Sequence, residues 1–329
     1  MTDSAVHHIL GQSEAIEGIR RLVRKAAASP ARTILIYGET GTGKGLTARA
    51  IHELSPRGAG PFVDINCAAI PAELLESELF GFERGAFTGA NQKKVGLVEA
   101  ADRGTLFLDE IRELSPVLQA KLLTLMDTQR FRRVGSVTPI GVDVRFVAAT
   151  NRILLNEVNE GRFREDLYYR LQVISINLPP LRERGEDILF LARHFLAELC
   201  QRYGRAPMAI SDDVAGIFRA YRWPGNVREM QNLLERIVAL EEADVIGRGH
   251  LPARVLRTLT DGGPHPARAS AADFHAATES FQRDLIGRAL SAHAGNVHSA
   301  ALALGLTRHA LRHQLKKLGL DPSSFTGKS

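Results

Sequence analysis

The sequence predicts an α/β protein with a mainly parallel sheet, followed by a helical subdomain and then a separate all-α segment. Three observations predict it. Short runs of β-branched and apolar residues alternate with helically spaced apolar residues through the first half. A Pro-marked break, "LPPLRERGED" (178–187), is followed by helical patterns without further strand signal. A stretch of Gly, Pro and small residues, "LRTLTDGGPHPARASAA" (256–272), then reads as a linker to a last helical segment at 273–319.

The strands expected in order are "TILIY" (33–37), "FVDI" (62–65), "TLFLD" (105–109), "VRFVAAT" (144–150) and "VISINL" (173–178). Their near-continuous apolar character suits a sheet covered on both faces. "LTARAIHEL" (46–54) and "SPVLQAKLLTLMD" (115–127) carry apolar residues at helical spacing between them. Helices are expected again at "DILFLARHFLAELCQRY", "SDDVAGIFRAY" and "GNVREMQNLLERIVAL". These place the α/β part at 8–178 and the helical part at 184–255.

Composition narrows the class. With 329 residues, 44% of them hydrophobic and 24% charged, the chain has the profile of an ordinary soluble protein of about two domains. No apolar run approaches the roughly 20 residues of a membrane span, so no membrane partner is expected. The start, "MTDSAVHHILGQSEA", resembles neither a signal nor a transit peptide. The two cysteines, Cys67 and Cys200, lie far apart without metal-ligand spacing, and a cytoplasmic location fits both facts. Net charge is +5, yet from residue 264 onward 8 Lys/Arg face 4 Asp/Glu, and six of the 11 histidines lie there. A basic tail on a near-neutral body suggests a nucleic-acid-binding appendage, although a solvated chain end would carry the same charge.

Two motifs carry chemistry. "GETGTGKG" supplies Gly38, Glu39, Thr40, Gly41, Thr42, Gly43, Lys44 and Gly45 directly after a strand and before a helix. In that setting backbone N–H groups wrap phosphates and Lys44 reaches the β- and γ-phosphates. Gly45 stands where a Ser or Thr usually offers magnesium a hydroxyl, so Mg²⁺ must rely on water and acidic groups. "GTLFLDE" (104–110) delivers those groups at a strand's carboxyl end. Asp109 is suited to hold Mg²⁺ through water, and Glu110 to orient or deprotonate an attacking water. Together the motifs imply nucleotide hydrolysis. "GFERGAFTGANQ" (81–92) has no such obvious use: Gly85 and Gly89 bracket a Phe87–Thr88 tip that a core does not require.

"GETGTGKG", "NCAAI", "ESELFGFERGAFTGA", "GTLFLDE", "FREDLYYRL", "LPPLRER" and "WPGNVREM" occur in the order seen in bacterial enhancer-binding proteins. These are the AAA+ ATPases that activate sigma-54 RNA polymerase holoenzyme. The resemblance covers about 8–240 and resumes at 273–319. It implies an AAA+ P-loop NTPase with a helical lid, and a loop of Gly85, Ala86, Phe87, Thr88, Gly89 and Ala90 that contacts sigma-54. It further implies that Asn66 holds Glu110 in a nucleotide-dependent way, that Thr150 and Asn151 form sensor I, and that Arg228 is sensor II on the lid. Arg164 and Arg170 match the residues offered to a neighbour's ATP, where a planar guanidinium spreads charge over phosphate oxygens. Sites completed that way require a ring, and the resemblance implies a hexamer. "RFRRVGS" (130–136) resembles a second pore-side loop, as a solvated basic turn also would.

"NVHSAALALGLTRHALRHQLKK" (296–317) reads as helix-turn-helix. Val297, Ala300, Ala301 and Leu304 form one apolar stripe, Gly305 permits the turn, and Thr307 caps the second helix. On that helix Leu311, Leu315 and Leu318 face inward, while Arg308, His309, Arg312, His313 and Lys316 share the opposite face. The segment resembles the Fis-type domain of the same family and implies binding to an upstream double-stranded DNA element. No receiver, GAF or PAS-type pattern precedes the ATPase motifs. Members built that way are controlled by a regulator acting in trans; a chain trimmed of its sensor would look the same.

Overall fold

The computed structural model describes residues 9–256 and, in the tail, 286–287, 289–291, 293, 295–304, 311, 315 and 318. The chain divides into two units, residues 1–260 and 261–329.

In the first unit the strands run β1 (Thr33–Tyr37), β2 (Phe62–Asn66), β3 (Gly81–Phe82), β4 (Lys94–Val95), β5 (Thr105–Asp109), β6 (Arg130–Phe131), β7 (Ile140–Gly141), β8 (Arg145–Thr150) and β9 (Ser175–Asn177). Five of them form one parallel sheet in the order β2-β5-β8-β1-β9. The alternation of side chains along β1 divides two cores. Ile34 and Ile36 pack with Val147, Ala149 and the helices Glu14–Ala28 and Lys44–Glu53. Leu35 turns to the other face with Leu106, Leu108 and Phe146, under helices Ala72–Phe80, Pro116–Thr128 and Glu165–Leu171. Both faces are thus covered, which is why these strands read as continuous apolar runs.

The sheet aligns the functional positions at one edge. Tyr37 pairs with Thr150, and Asn66 pairs with Asp109, so four strands end together at their carboxyl ends. Where β1 sits between β8 and β9 the chain order reverses, the place where open α/β sheets receive ligands. Buried Arg145, at the opposite end of β8, donates to the carbonyls of Ala26 and Ala27 and so closes the helix Glu14–Ala28.

A further core, from Leu181 to Val255, belongs to the helical part expected as the lid. Helices Asp187–Arg202, Asp212–Ala220 and Asn226–Leu240 enclose Trp223, whose indole N–H donates to the Phe218 carbonyl (2.9 Å). Here one expectation is corrected, since strands do not stop at the Pro-marked break. β10 (Ala209–Ile210) and β11 (Val245–Ile246) pair in parallel and bury Ile246 in the lid core. Two residues each are too short to show a period of two.

In the second unit the helix Val297–Ala303 begins at Asn296, whose Oδ1 accepts the His298 and Ser299 N–H groups. Ala300 and Ala301 pack with Ile286, Leu290, Leu311, Leu315 and Leu318, and Val297 and Leu304 lie against that cluster. Both apolar stripes expected of a helix-turn-helix are therefore brought together. Thr307, Arg308, His309, Arg312, His313 and Lys316 lie outside the described residues.

Candidate active site

The phosphate loop leaves β1 with the Gly38 N–H donating to the Thr150 carbonyl (3.2 Å). Gly41 (φ 82°) and Gly43 (φ 103°) then take conformations that side chains resist. At Gly41 there is a second reason: a Cβ would stand 2.2 Å from the Gly225 carbonyl oxygen of the lid. Gly43 starts the helix Lys44–Glu53 with its first N–H groups free of side-chain caps, the arrangement that favours anions.

Lys44 is 7% exposed, and its Nζ donates to the Gly38 carbonyl (3.0 Å) and meets Glu110 Oε1 at 3.4 Å. Glu110 follows β5 with φ 51° and ψ 49°, left-handed backbone that a non-glycine residue adopts at a cost. That turn swings its carboxylate out of the strand direction toward the loop. The same carboxylate accepts the Asn151 N–H (3.3 Å) and has Arg112 Nε 3.8 Å away. Asp109 Oδ1 accepts the Glu110 N–H (3.0 Å), and burial raises its carboxyl above the ordinary value while Lys44 pulls the other way. Nearby Cys67 is buried, its thiol pushed up to about 12 first by burial and then by Asp109, which leaves it inert as a nucleophile.

Three of the expected sensor residues converge here. Thr150 is fully buried at the end of β8. Asn151 Nδ2 reaches Thr40 Oγ1 (3.5 Å), and its Oδ1 is buried without a hydrogen-bond partner. A buried acceptor left open beside Glu110 and the phosphate loop fits a site that takes in a hydrated ligand. From the lid, Arg228 lines a cavity of about 480 Å³ together with the phosphate loop, Asn66, Asp109 and Glu110, while Thr150 and Asn151 stand behind its wall. Asn66 differs from expectation: among the described hydrogen bonds none joins it to Glu110. Its Oδ1 instead accepts the Ala68 N–H (2.9 Å), a local turn that competes for the side chain while Lys44 holds the glutamate.

Several residues that sequence reasoning left out complete the cavity. Ile9, Leu10, Leu178, Leu191, Phe195 and Val227 give it an apolar end suited to a planar base. The first segment is fixed there by Asp187, whose carboxylate accepts from Gln12 N–H, Ser13 N–H and Ser13 Oγ–H. Arg182 makes a two-pronged pair with Glu39 (2.7 and 2.9 Å). Buried Arg184 donates to the Thr42 carbonyl (3.0 Å). Asn226, wholly buried with φ 52°, accepts the Leu181 N–H (2.7 Å) and donates to Glu39 Oε2 and the Thr40 carbonyl. The motifs "LPPLRER" and "WPGNVREM" contain Arg182, Arg184 and Asn226, but nothing local in them shows that these side chains reach the phosphate loop.

Asn226→Ala is expected to cost about 2–3 kcal/mol, because the Leu181 N–H and Thr40 carbonyl lose their partner and an Ala would keep a strained φ. A thermal melt should fall, and nucleotide titration should show weaker binding because the lid no longer grips the loop. An unchanged melt and affinity would remove this latch.

The loop between β3 and β4 folds back on itself through Gly85 N–H to Ala90 carbonyl (2.8 Å) and Ala90 N–H to Phe87 carbonyl (3.0 Å). Gly85 (φ 84°) and Gly89 (φ 99°) have open space where a Cβ would stand, so conformation rather than crowding requires glycine. Ala90 is buried, Gly85, Thr88 and Gly89 are exposed, and Ala86 lies between. Phe87 is 46% exposed and leans edge-on against Phe82, ring centroids 4.9 Å apart. The 130–136 turn braces this loop. Val134 exchanges backbone bonds with Gly81 and Glu83, Arg133 pairs with Glu83 (2.7 Å) and Glu99 (2.5 Å), and a Cβ at Gly135 would meet Ala86 at 2.7 Å. Arg164 and Arg170 stay on the surface, paired within the chain to Asp166 (2.7 Å) and Asp127 (3.0 Å).

Comparison with known proteins identifies the domains. The chain matches the Sigma-54 interaction domain over residues 9–177, the AAA+ ATPase lid domain over 182–267, and the bacterial regulatory protein, Fis family, over 277–318. It is 44% identical over 317 residues to the regulatory protein AtoC of Escherichia coli, covering 96% of this chain and 68% of AtoC. It is 43% identical to the putative uric acid sigma-54-dependent transcriptional regulator UacR of the same organism, covering 96% of this chain and 54% of UacR. Among solved structures, NtrX from Brucella abortus in complex with ADP superposes with a TM-score of 0.70 at 34% identity, covering 94% of this chain and 69% of NtrX. The chain thus spans about half to two thirds of these relatives' lengths. With the three domains in this order on one polypeptide, the chain belongs to the sigma-54-dependent transcriptional regulators, a family whose central domain is an AAA+ ATPase.

Proposed function

We propose that this chain is a transcriptional activator that binds an upstream DNA element, assembles a ring and uses ATP hydrolysis to remodel the closed sigma-54 RNA polymerase promoter complex. The observation that carries the reading is the meeting of Lys44, Glu110, Asp109 and Asn151 at the sheet edge in the same domain as the exposed Phe87–Thr88 loop. Within it the ATPase region spans 8–240, the linker 256–272 and the DNA-binding domain 273–319. Lys44 and the loop amides hold the phosphates, Glu110 orients water, and Thr150, Asn151 and Arg228 report on the γ-phosphate. Arg164 and Arg170 act on the neighbour's nucleotide in a hexamer. Asn66 takes up Glu110 in another nucleotide state.

Magnesium belongs to this reading through a sparse donor set. Gly45 adds no hydroxyl, and the Thr47 hydroxyl donates to the Gly43 carbonyl (3.1 Å). Asp109 is left as the protein's carboxylate toward the ion, which suits Mg²⁺, since it keeps several waters and binds largely through substrate phosphates. When bound, the ion would neutralise phosphate charge as it shifts to the leaving group.

Open-complex formation with purified sigma-54 holoenzyme, promoter DNA and ATP is the direct test. ATP hydrolysis without promoter opening would leave an AAA+ remodelling enzyme of another class. A second measurement addresses the tail. Replacing Arg312 and Lys316 with Ala should weaken DNA binding and reduce the log–log salt slope by roughly 0.9 for each phosphate that is no longer neutralised. An unchanged slope would return this segment to a structural role.

A further inference from the structure

The helix Pro116–Thr128 begins just after the turn that carries Glu110 and ends beside Arg170. Near its start, Gln119 is 1% exposed, and every polar atom of its amide is engaged. Its Nε2 donates to the Leu114 carbonyl (2.8 Å) and the Arg162 carbonyl (3.0 Å), while its Oε1 accepts the Arg164 N–H (2.8 Å). Leu114 closes the short turn Ile111–Glu113, in which the Glu113 N–H donates back to the Glu110 carbonyl (3.0 Å). One side chain therefore joins the backbone that leaves Glu110 to the backbone that presents Arg164. At the far end of the same helix, Arg170 donates to the Met126 carbonyl (3.2 Å) and pairs with Asp127 (3.0 Å).

Arg164 has little else to fix it. It stands just ahead of the helix Glu165–Leu171 in extended backbone (φ −72°, ψ 134°) with no capping side chain of its own. Its guanidinium is half exposed and, among the described residues, held only by Asp166, two residues on. The direction in which that guanidinium leaves the surface is set by its backbone, and the Arg164 N–H is held by Gln119. A buried, fully satisfied amide is rigid, and it resists partial rearrangement because any missing partner leaves a buried polar group open.

We propose that Gln119 is the positioning residue for Arg164, tying the arginine offered to the next subunit to the turn that follows this subunit's own Glu110. The proposal rests on the reading of Arg164 as acting on the neighbour's nucleotide. Gln119 touches no reactant; it acts through the arginine's backbone. A movement of Glu110 on nucleotide binding would pass along Leu114 and Gln119 to Arg164, so that one site's state biases the next.

Mixed rings of the full-length protein test it. Gln119→Met keeps the volume and removes all three bonds. Turnover of the pure variant should fall by about 10²-fold, the loss expected when a catalytic group is displaced by about 1 Å. ATP titration should give a Kd within about threefold of the parent. Mixing with Glu110→Ala subunits should restore turnover, because a Gln119→Met site then receives an undisturbed Arg164. Mixing with Arg164→Ala subunits should not, because every interface then carries a missing or misplaced arginine. The opposite pattern, rescue by Arg164→Ala and none by Glu110→Ala, would show that Gln119 supports only its own subunit's site and would overturn the proposal. So would full turnover in a folded Gln119→Met protein. Glu110→Ala mixed with Arg164→Ala is the control: failure of that pair to restore turnover defeats the reading of Arg164 itself, and this proposal with it. Should Gln119→Met not fold, Gln119→Asn, which keeps the amide but shortens its reach, is expected to give the same mixing pattern with a smaller loss.

Discussion

Glu110→Ala is expected to lower ATP turnover by about 10²–10⁴-fold, the range for loss of a positioned general base, while ATP remains bound. The structure gives the reason for both halves. Glu110 is aimed by its left-handed turn and held by the Asn151 N–H, whereas its neighbour Asp109 has Oδ1 engaged by the Glu110 N–H and is not held in Glu110's place. Binding survives because the glycines of the phosphate loop and the first turn of Lys44–Glu53 are shaped by β1, β8 and the lid, none of which depends on Glu110. Removing Glu110 also releases Lys44 from its ion pair, so ATP affinity should hold or rise. Lys44→Ala should do the reverse and weaken nucleotide binding itself. Steady-state turnover and nucleotide titration on the two variants read out the contrast. A Glu110→Ala protein that still turns over rapidly, or that no longer binds ATP, would reassign the residue.

Phe87→Ala and Thr88→Ala should each leave folding and hydrolysis nearly intact yet abolish promoter opening. Phe87 packs on half-buried Phe82 and belongs to none of the core clusters, so its removal forfeits one aromatic pair of about 0.5–1.5 kcal/mol. A core phenylalanine would cost about 3–5 kcal/mol. Thr88 is exposed, and no hydrogen bond of its side chain is present among the described residues. Aromatic anchors concentrate binding energy at interfaces, so loss of Phe87 should fall on the partner complex instead. Thermal melts, ATPase rates and capture of sigma-54 with an ATP transition-state analogue separate the outcomes. If Phe87→Ala melts several degrees lower and loses ATPase activity while still capturing sigma-54, the ring is a structural prop and does not touch the partner.

What can be read from the sequence follows from distance along the chain. Lys44, Asp109 and Glu110 are legible because each stands at the end of a strand whose apolar run is visible locally. The strand limits agree closely for β1 and β5, and the helices Lys44–Glu53 and Pro116–Thr128 fall within two residues of their expected starts. Asn226, Arg184 and Gln119 are not legible as site residues. Their side chains bond to backbone or carboxylate groups over a hundred residues away for the first two and over forty for the third, and no local pattern marks such a partner. The helix Glu14–Ala28 is absent from the expected elements, although Ser13 caps it and Ile16, Ile19 and Val23 give it a buried stripe. The pairing of Asn66 with Glu110, implied by resemblance alone, is replaced in this conformation by the local turn at Ala68 and the Lys44–Glu110 pair.

The order of strands in the main sheet also bears on how the protein comes to exist. β1 carries three apolar residues, Ile34, Leu35 and Ile36, at its centre, and its two sheet neighbours are β8 and β9, with Thr33 opposite Phe146 and Leu35 opposite Ser175. On a ribosome adding about 5–20 residues per second, β1 therefore emerges several seconds before either neighbour exists. During that interval its hydrogen-bonding edges and its isoleucines are open to other chains, the exposure that makes parallel sheets slow to fold and prone to associate. The phosphate loop inherits the delay, since the Gly38 N–H closes on a carbonyl of β8. A nascent chain ending before residue 145 should therefore bind no ATP and should depend on chaperones to stay in solution, whereas one extended past the lid should acquire both nucleotide binding and solubility together.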